Sequence, residues 1–191
     1  SNVRKYFNAT LQDCIIFNND SFSLLDTEIQ GFSWKGRNVN QNTLKPISIK
    51  PQDPSFIDKA VDYIVGKAYD VYNKELCGHC ARAVREGLMH KDGGNLPLKN
   101  YPFSACCYVN HLPYWGFKKV YMGEANTPID GYTPKNGDIA VIAGYGSQKD
   151  GHIQIYSSKT NMWYSDYKEK DIWCYNSPKG RPYIVFRYIP Q

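Results

Sequence analysis

Apolar residues at helical spacing begin a few residues after position 53. Asp53 has the character of a helix N-cap, and Pro54 suits the first turn of a helix. The apolar positions that follow are three or four residues apart, as they are on one face of a helix: Ile57, Ala60, Val61, Ile64, Val65, Ala68, Val71 and Tyr72. The pattern therefore predicts a long amphipathic helix over this stretch.

Two further helices are predicted downstream. Residues 80–89 place Cys80, Val84 and Leu88 on one face, and the polar, glycine-containing sequence HKDGG then ends the helix. A third helix is predicted from residue 104 to about residue 112.

The remainder of the chain has the pattern of strands. Four short runs are rich in β-branched and aromatic residues, and turn-forming sequences separate them: DIAVIAGY, HIQIYSS, MWYSDYK and RPYIVFRYI. Helices followed by strands are typical of the α+β class. We therefore expect N-terminal helices packed on a C-terminal antiparallel sheet.

Residues 1–53 differ in composition from the rest of the chain. They are rich in Asn, Asp, Gln and Ser, contain only short apolar runs such as CIIF and FSLL, and end at the proline-containing sequence KPISIKPQDP. We interpret them as an N-terminal extension of unknown role, packed on a main domain of residues 54–191.

Composition and charge narrow the function classes. Of the 191 residues, 42% are hydrophobic, which is typical of a globular protein. No run of 18 apolar residues occurs, so we predict no membrane span, and we find no signal peptide in this chain. The net charge of +5 comes without a Lys/Arg block. Nucleic-acid binding is therefore not favoured, whereas attraction to an acidic polymer such as a bacterial cell wall is.

The sequence CGHC at residues 77–80 permits three interpretations. A dithiol redox motif normally follows a buried strand, but an amphipathic helix precedes this one. A zinc site needs a second pair of ligands, and Cys106 and Cys107 are adjacent, which is poor geometry for two ligands. In the third interpretation Cys80 is a nucleophile, because it opens a helix whose free N–H groups lower the pKa of a thiol. Cys77 would then lie in the preceding segment.

A cysteine nucleophile needs a base, and the chain has four histidines. His79, His90 and His111 have the character of surface or capping residues. His152 begins the strand GHIQIY directly after a glycine-rich turn, which holds an imidazole rigidly where a helix N-terminus can face it. His152 is therefore the candidate base.

Four motifs together resemble a known family. The sequence GHCARAVREGL is similar to the cysteine-bearing helix start of the CHAP and NlpC-like cysteine hydrolases of peptidoglycan, and PKNGDIAVI and GHIQIY resemble two of their strands. The sequence MWYSDY is similar to a strand of the amidase-type members, which include bacterial toxins delivered by secretion systems. The motifs follow the papain-like order and span about residues 55–190.

The resemblance implies a papain-like (NlpC/CHAP-type) fold for residues 54–191 and a role for each site residue. Cys80 would be the nucleophile, His152 the general base and Asp166 the third group, which orients the His152 ring. Asp138 would be structural and cap the turn before its strand. No metal or organic cofactor is implied.

The implied function is cleavage of an amide bond in the stem peptides of peptidoglycan. The protein would be a secreted antibacterial effector or a phage or cell-wall lytic enzyme, acting in the periplasm or cell wall of a bacterium. An effector of this kind would have a cognate immunity protein that blocks the cleft at Cys80. The alternatives are a thiol–disulfide oxidoreductase that uses Cys77 and Cys80, and a non-catalytic wall-binding module of the same fold.

Overall fold

The computed structural model of the protein describes residues 30–37, 44–71 and 79–191. Two α-helices are followed by two 3₁₀ helices: α1 (Phe56–Val71), α2 (Cys80–Met89), Ala105–Asn110 and Leu112–Trp115. The strands are β1 (Phe32–Ser33), β2 (Phe117–Glu124), β3 (Ile139–Ile142), β4 (Gly144–Tyr145), β5 (His152–Ser157), β6 (Met162–Tyr164), β7 (Lys168–Glu169) and β8 (Pro182–Tyr188).

Six of these strands form one antiparallel sheet in the order β2-β8-β3-β5-β6-β7. The hairpin of β5 and β6 pairs Ile155 with Tyr164 and Ser157 with Met162. The register of this hairpin places the sequence motifs at His152 and Asp166 at the same end of it. Strands β1 and β4 form a separate two-stranded sheet.

The sheet buries apolar residues on both faces. Helices α1 and α2 and the first 3₁₀ helix pack against β3 and β5 on one face, where Ile153 and Ile155 belong to the main core. A second cluster, which includes Trp163 and Tyr183, covers the other face. This arrangement confirms the predicted combination of early helices and a later antiparallel sheet.

The start of α1 and its contact with α2 set the position of the site. Asp53 accepts a hydrogen bond from the Ser55 N–H at 2.9 Å, as expected of an N-cap. Further along, α2 approaches α1 so closely at Gly87 that a Cβ atom there would lie 2.3 Å from the Ile64 side chain. This contact holds α2, and with it Cys80, against the rest of the fold.

The third predicted helix is not an α-helix. The segment forms two 3₁₀ helices that meet at His111. The Cys106 N–H is bonded to the Asp150 carbonyl at 2.8 Å. Pro113 disfavours the α conformation in the residue before it and supplies no N–H. Proline therefore overrides the helical spacing at the end of this segment.

The sequence pattern also missed β2. This strand lies at the edge of the sheet, carries Lys118 and Lys119, and has a bulge between Lys119 and Tyr121. Lysines and bulges are common on edge strands because they discourage pairing with other chains, and here they break the apolar alternation.

Part of the predicted N-terminal extension contributes to the core. Trp34 is only 2% exposed and belongs to the main apolar cluster, and β1 pairs with β4. The Ile49 N–H donates to the Tyr114 carbonyl at 3.0 Å. The division of the chain at residue 53 stays a prediction, but these residues pack as part of the same body. None of the helices described is both long and apolar enough to cross a membrane.

Candidate active site

Cys80 is the first residue of α2 and faces the start of β5. The Ala83 N–H is bonded to the His79 carbonyl at 3.0 Å, so the first turn forms directly at the cysteine. Backbone hydrogen bonding from Ile153 and Ala81 acts on the Cys80 thiol. The thiol is therefore held between its own helix start and the strand that carries His152.

One cavity of about 350 Å³ brings the three predicted site residues together. Its walls include Cys80, His152 and Asp166, from α2, β5 and the segment after β6. We call it the His152 cavity. His152 and Asp166 are only 5% and 3% exposed, so both side chains face the cavity from a largely buried position.

A hydrogen-bond chain determines the tautomer of His152. Its Nε2 lies 3.2 Å from Oε1 of Gln154. The Gln154 amide group donates to the carbonyls of Asp171 at 3.1 Å and Ile172 at 2.8 Å. Since its NH₂ group is used in this way, Oε1 must accept, and His152 must carry its proton on Nε2. The lone pair of a neutral His152 is then on Nδ1.

Asp166 is bonded to the backbone before α2. It accepts a hydrogen bond from the His79 N–H at 3.2 Å and from the Ser165 hydroxyl at 3.0 Å. The His152 ring donates its Nε2–H to Oε1 of Gln154. Asp166 acts on the ring through its negative charge, which raises the pKa of His152.

Burial opposes the charged forms of both Cys80 and His152. It lowers the pKa of His152 to about 4, against the raising effects of Asp166 and Gln154. Burial also raises the pKa of the Cys80 thiol to about 12, and the charge of Asp166 adds to this increase. The expected lowering of the Cys80 pKa by the helix start is therefore outweighed. Burial thus favours a thiol and a neutral imidazole over the ion pair.

The rim of the His152 cavity is formed partly by the N-terminal segment. Arg37 forms an ion pair with Asp150, with Nε and Oδ2 3.4 Å apart, and donates to the Ser147 carbonyl at 2.5 Å. Asp150 also accepts from the Ser104 hydroxyl at 2.6 Å. The loop before β5 is thereby fixed, and with it the backbone that leads into His152.

Cys80, Cys106 and Cys174 are free thiols. The dithiol interpretation of CGHC also involves Cys77, which lies outside the described residues. In the part of the chain that the structure describes, no group of three or more His, Cys, Asp and Glu side chains is arranged to hold a metal ion.

No family model matches the sequence, and no curated protein matches it either. A solved structure does match. It is a chain of the type VI native effector-immunity complex Tae3-Tai3 from Ralstonia pickettii, with 24% sequence identity and a TM-score of 0.51. The match covers 70% of this chain and 98% of that chain. At this identity the likeness shows a common fold, a mixed α/β arrangement with an antiparallel sheet.

Gln154 was not among the predicted site residues. Strand alternation places residue 154 on the same side of β5 as His152, which is a signal that the sequence contains. Its function depends on the carbonyls of Asp171 and Ile172, which are 17 and 18 residues further along the chain. Those partners could not be inferred without the fold.

Proposed function

We propose that the protein is a papain-like cysteine amidase that cleaves an amide bond in peptidoglycan stem peptides. The observation that carries the proposal is the convergence of Cys80, His152 and Asp166 on one cavity, with the thiol at a helix start and the imidazole at a strand start. A nucleophile, a base and an acidic group so arranged are the components of acyl transfer. The fold shared with a chain of an effector-immunity complex supports the same class.

In the proposed reaction, Nδ1 of His152 takes the proton of the Cys80 thiol while Sγ attacks the carbonyl carbon of the amide. The intermediate then collapses, the C–N bond breaks, and the proton on Nδ1 passes to the leaving amine. Water, deprotonated by the same nitrogen, hydrolyses the thioester and restores the thiol. Gln154 holds the proton on Nε2 throughout, so Nδ1 remains the nitrogen that exchanges protons.

The start of α2 is suited to stabilising the oxyanion. The first N–H groups of a helix have no partner within the helix and carry partial positive charge. Cys80 and Ala81 supply such groups beside the reacting sulfur. Donors fixed in this way stabilise negative charge that develops in a tetrahedral intermediate.

The cellular setting belongs to the same proposal. The protein would be an antibacterial effector delivered to the periplasm of a target bacterium, with a phage or wall-remodelling enzyme as the other setting. A cognate immunity protein would protect the producing cell by covering the His152 cavity. The proposed chemistry uses side chains and backbone groups of the chain and requires no metal or organic cofactor.

Digestion of purified peptidoglycan tests the proposal. The wild-type protein should release fragments in which one amide has become a carboxylate and an amine, identified by mass spectrometry of the soluble muropeptides. Cys80→Ala should lower the rate by roughly 10³-fold or more, because the nucleophile is gone. A folded Cys80→Ala protein that still cleaves at the wild-type rate would refute the mechanism.

Cys77→Ser is the matched control for the thiol. We expect it to retain most of the hydrolytic rate, since Cys80 alone carries the proposed nucleophile. If Cys77→Ser loses as much activity as Cys80→Ala and the wild-type protein reduces or forms disulfides in a model peptide, the dithiol oxidoreductase is the better assignment.

A further inference from the structure

Cys80 lies between two cavities. The His152 cavity is on one side, and a second cavity of about 410 Å³ is on the other. We call the second one the Arg85 cavity. Its walls include Cys80, Arg82, Arg85, Phe103 and Asp150. A peptide cleaved at Cys80 extends in both directions from the scissile bond, so each cavity can receive one side of it.

Arg85 is held in place by aromatic side chains. Its Nη1 donates to the hydroxyl of Tyr108 at 3.0 Å, and Tyr108 is fully buried in the core. The guanidinium lies 4.4 Å from the centre of the Tyr101 ring and 5.9 Å from that of Phe103. A guanidinium fixed in this way has lost most of its rotational freedom before any ligand arrives.

The charge of Arg85 has no carboxylate partner among the residues that the structure describes. By contrast, Arg82 pairs with Glu86 at 3.1 Å, and Arg37 pairs with Asp150. Arg85 uses one of its five N–H donors on a neutral hydroxyl. Asp150, which also lines this cavity, pairs with Arg37, so the Arg85 guanidinium has no carboxylate partner among the described residues.

The remaining wall of the cavity indicates the shape of the ligand. The Phe103 side chain is 68% exposed, so it offers apolar surface beside the guanidinium. A carboxylate on a short aliphatic chain matches this combination. The guanidinium can hold the carboxylate with two parallel hydrogen bonds while the aliphatic chain packs on the Phe103 ring.

We propose that the Arg85 cavity is a specificity site that binds a free carboxylate of the substrate peptide. The inference rests on the proposed function, since stem peptides carry free carboxylates next to their amide bonds. The protein would then distinguish stem peptides with a free carboxylate at this position from those in which it is a carboxamide.

The test measures binding to full-length Cys80→Ala protein, which cannot turn the ligand over. The probes are the tetrapeptide L-Ala-γ-D-Glu-meso-diaminopimelate-D-Ala and its mono-amides, in each of which one free carboxylate is a carboxamide. Dissociation constants come from NMR titration. We expect one mono-amide to bind about 10- to 100-fold more weakly than the acid, or about 1.4 to 2.8 kcal/mol. Adding Arg85→Gln to the Cys80→Ala protein should weaken binding of the acid by the same factor. The dissociation constant of that mono-amide should stay unchanged.

Three further variants separate a binding role from a structural one. Arg85→Lys should retain part of the discrimination between acid and mono-amide. It keeps the positive charge but loses the two parallel N–H donors of the guanidinium. Tyr108→Phe keeps the Arg85 guanidinium but removes the hydroxyl that holds it. This variant should reduce the discrimination less than Arg85→Gln does. Lys159→Gln removes an exposed cation paired with Asp62 elsewhere, and should change neither dissociation constant. Thermal unfolding of each variant controls for folding.

The outcomes distinguish this inference from the function on which it rests. If the wild-type protein hydrolyses peptidoglycan but Arg85→Gln weakens acid and mono-amides equally, or no mono-amide differs from the acid, the carboxylate site is refuted and the amidase remains. If neither hydrolysis nor binding of any stem peptide is found, both are refuted.

Discussion

The direction of the hydrogen bond at Gln154 decides which nitrogen of His152 is basic. Both donor contacts of the Gln154 amide go to backbone carbonyls, so its oxygen is left for the imidazole. Asp166 affects the same ring through space and also fixes the His79 backbone at the start of α2. Tautomer control and charge control at His152 are thus assigned to two different residues.

This division predicts two different mutant signatures. Gln154→Met removes the acceptor at similar volume, so Nε2–H is no longer favoured and turnover should slow by about 10- to 100-fold, or about 1.4 to 2.7 kcal/mol of barrier. Asp166→Asn should slow turnover by a similar factor while keeping an acceptor for the His79 N–H. The pKa of His152 should fall further in Asp166→Asn, because a negative charge that raises it is lost.

Nitrogen-15 NMR of the imidazole separates the two roles. Wild-type protein and Asp166→Asn should show a proton on Nε2, whereas Gln154→Met should show a mixture of tautomers. Finding the proton of the wild-type imidazole on Nδ1 would contradict the assignment. So would a Gln154→Met protein with unchanged rate and tautomer.

At the scale of the elements, the contact between α1 and α2 positions the nucleophile. Two glycines lie in these helices, in different surroundings. Gly87 of α2 faces Ile64 and the Ala60 carbonyl, while nothing lies within 4 Å of the position that a Cβ would take at Gly66 of α1. Alanine substitutions at these two glycines therefore separate the effect of the helix contact from the effect of helix propensity.

We expect Gly87→Ala and Gly66→Ala to have opposite effects on stability. Gly66→Ala should raise the free energy of unfolding by about 0.5 to 1 kcal/mol, because alanine is the better helix former. Gly87→Ala should lower it by about 1 to 3 kcal/mol, because the added methyl overlaps the buried Ile64 side chain. Urea unfolding measures both. A stabilised Gly87→Ala protein would mean that the helices separate without cost.

Elements with a strong local signal were predictable, and those fixed by distant partners were not. The bounds of α2 follow from the apolar spacing and the polar, glycine-containing end, and they agree with the structure. The segment after residue 104 is bonded through the Cys106 N–H to the distant Asp150 carbonyl, and β2 is an edge strand whose lysines break the apolar alternation. Cys80 and His152 were predicted because each opens a helix or a strand, and Asp166 because MWYSDY resembles a strand of the amidase-type hydrolases. Arg85 was missed because its importance lies in three aromatic neighbours brought together by the fold.

At the scale of the whole molecule, buried ionisable groups connect stability to pH. Burial lowers the pKa values of His111 and His152 to about 4 from 6.5. The unfolded chain therefore binds about two more protons than the folded one as pH falls below 6.5. Glu169 opposes this, since burial raises its pKa from 4.5 to about 7 and the folded state then holds one extra proton.

The balance of these three groups gives the last prediction. Between pH 6.5 and 4.5 the unfolded state holds a net excess of about one proton, so the free energy of unfolding should fall by about 1.4 kcal/mol for each pH unit lost.

His111→Gln keeps a donor at that position but removes one titrating group. The free energy of unfolding of this variant should therefore be nearly independent of pH in this window, whatever its value at pH 7. His90→Gln, which alters a partly exposed ring stacked on Tyr63, is the matched control and should keep the wild-type slope. Urea unfolding at several pH values measures all three slopes. Parallel slopes for wild-type and His111→Gln would show that His111 does not contribute, and a stability that rises on acidification would show that Glu169 outweighs both histidines.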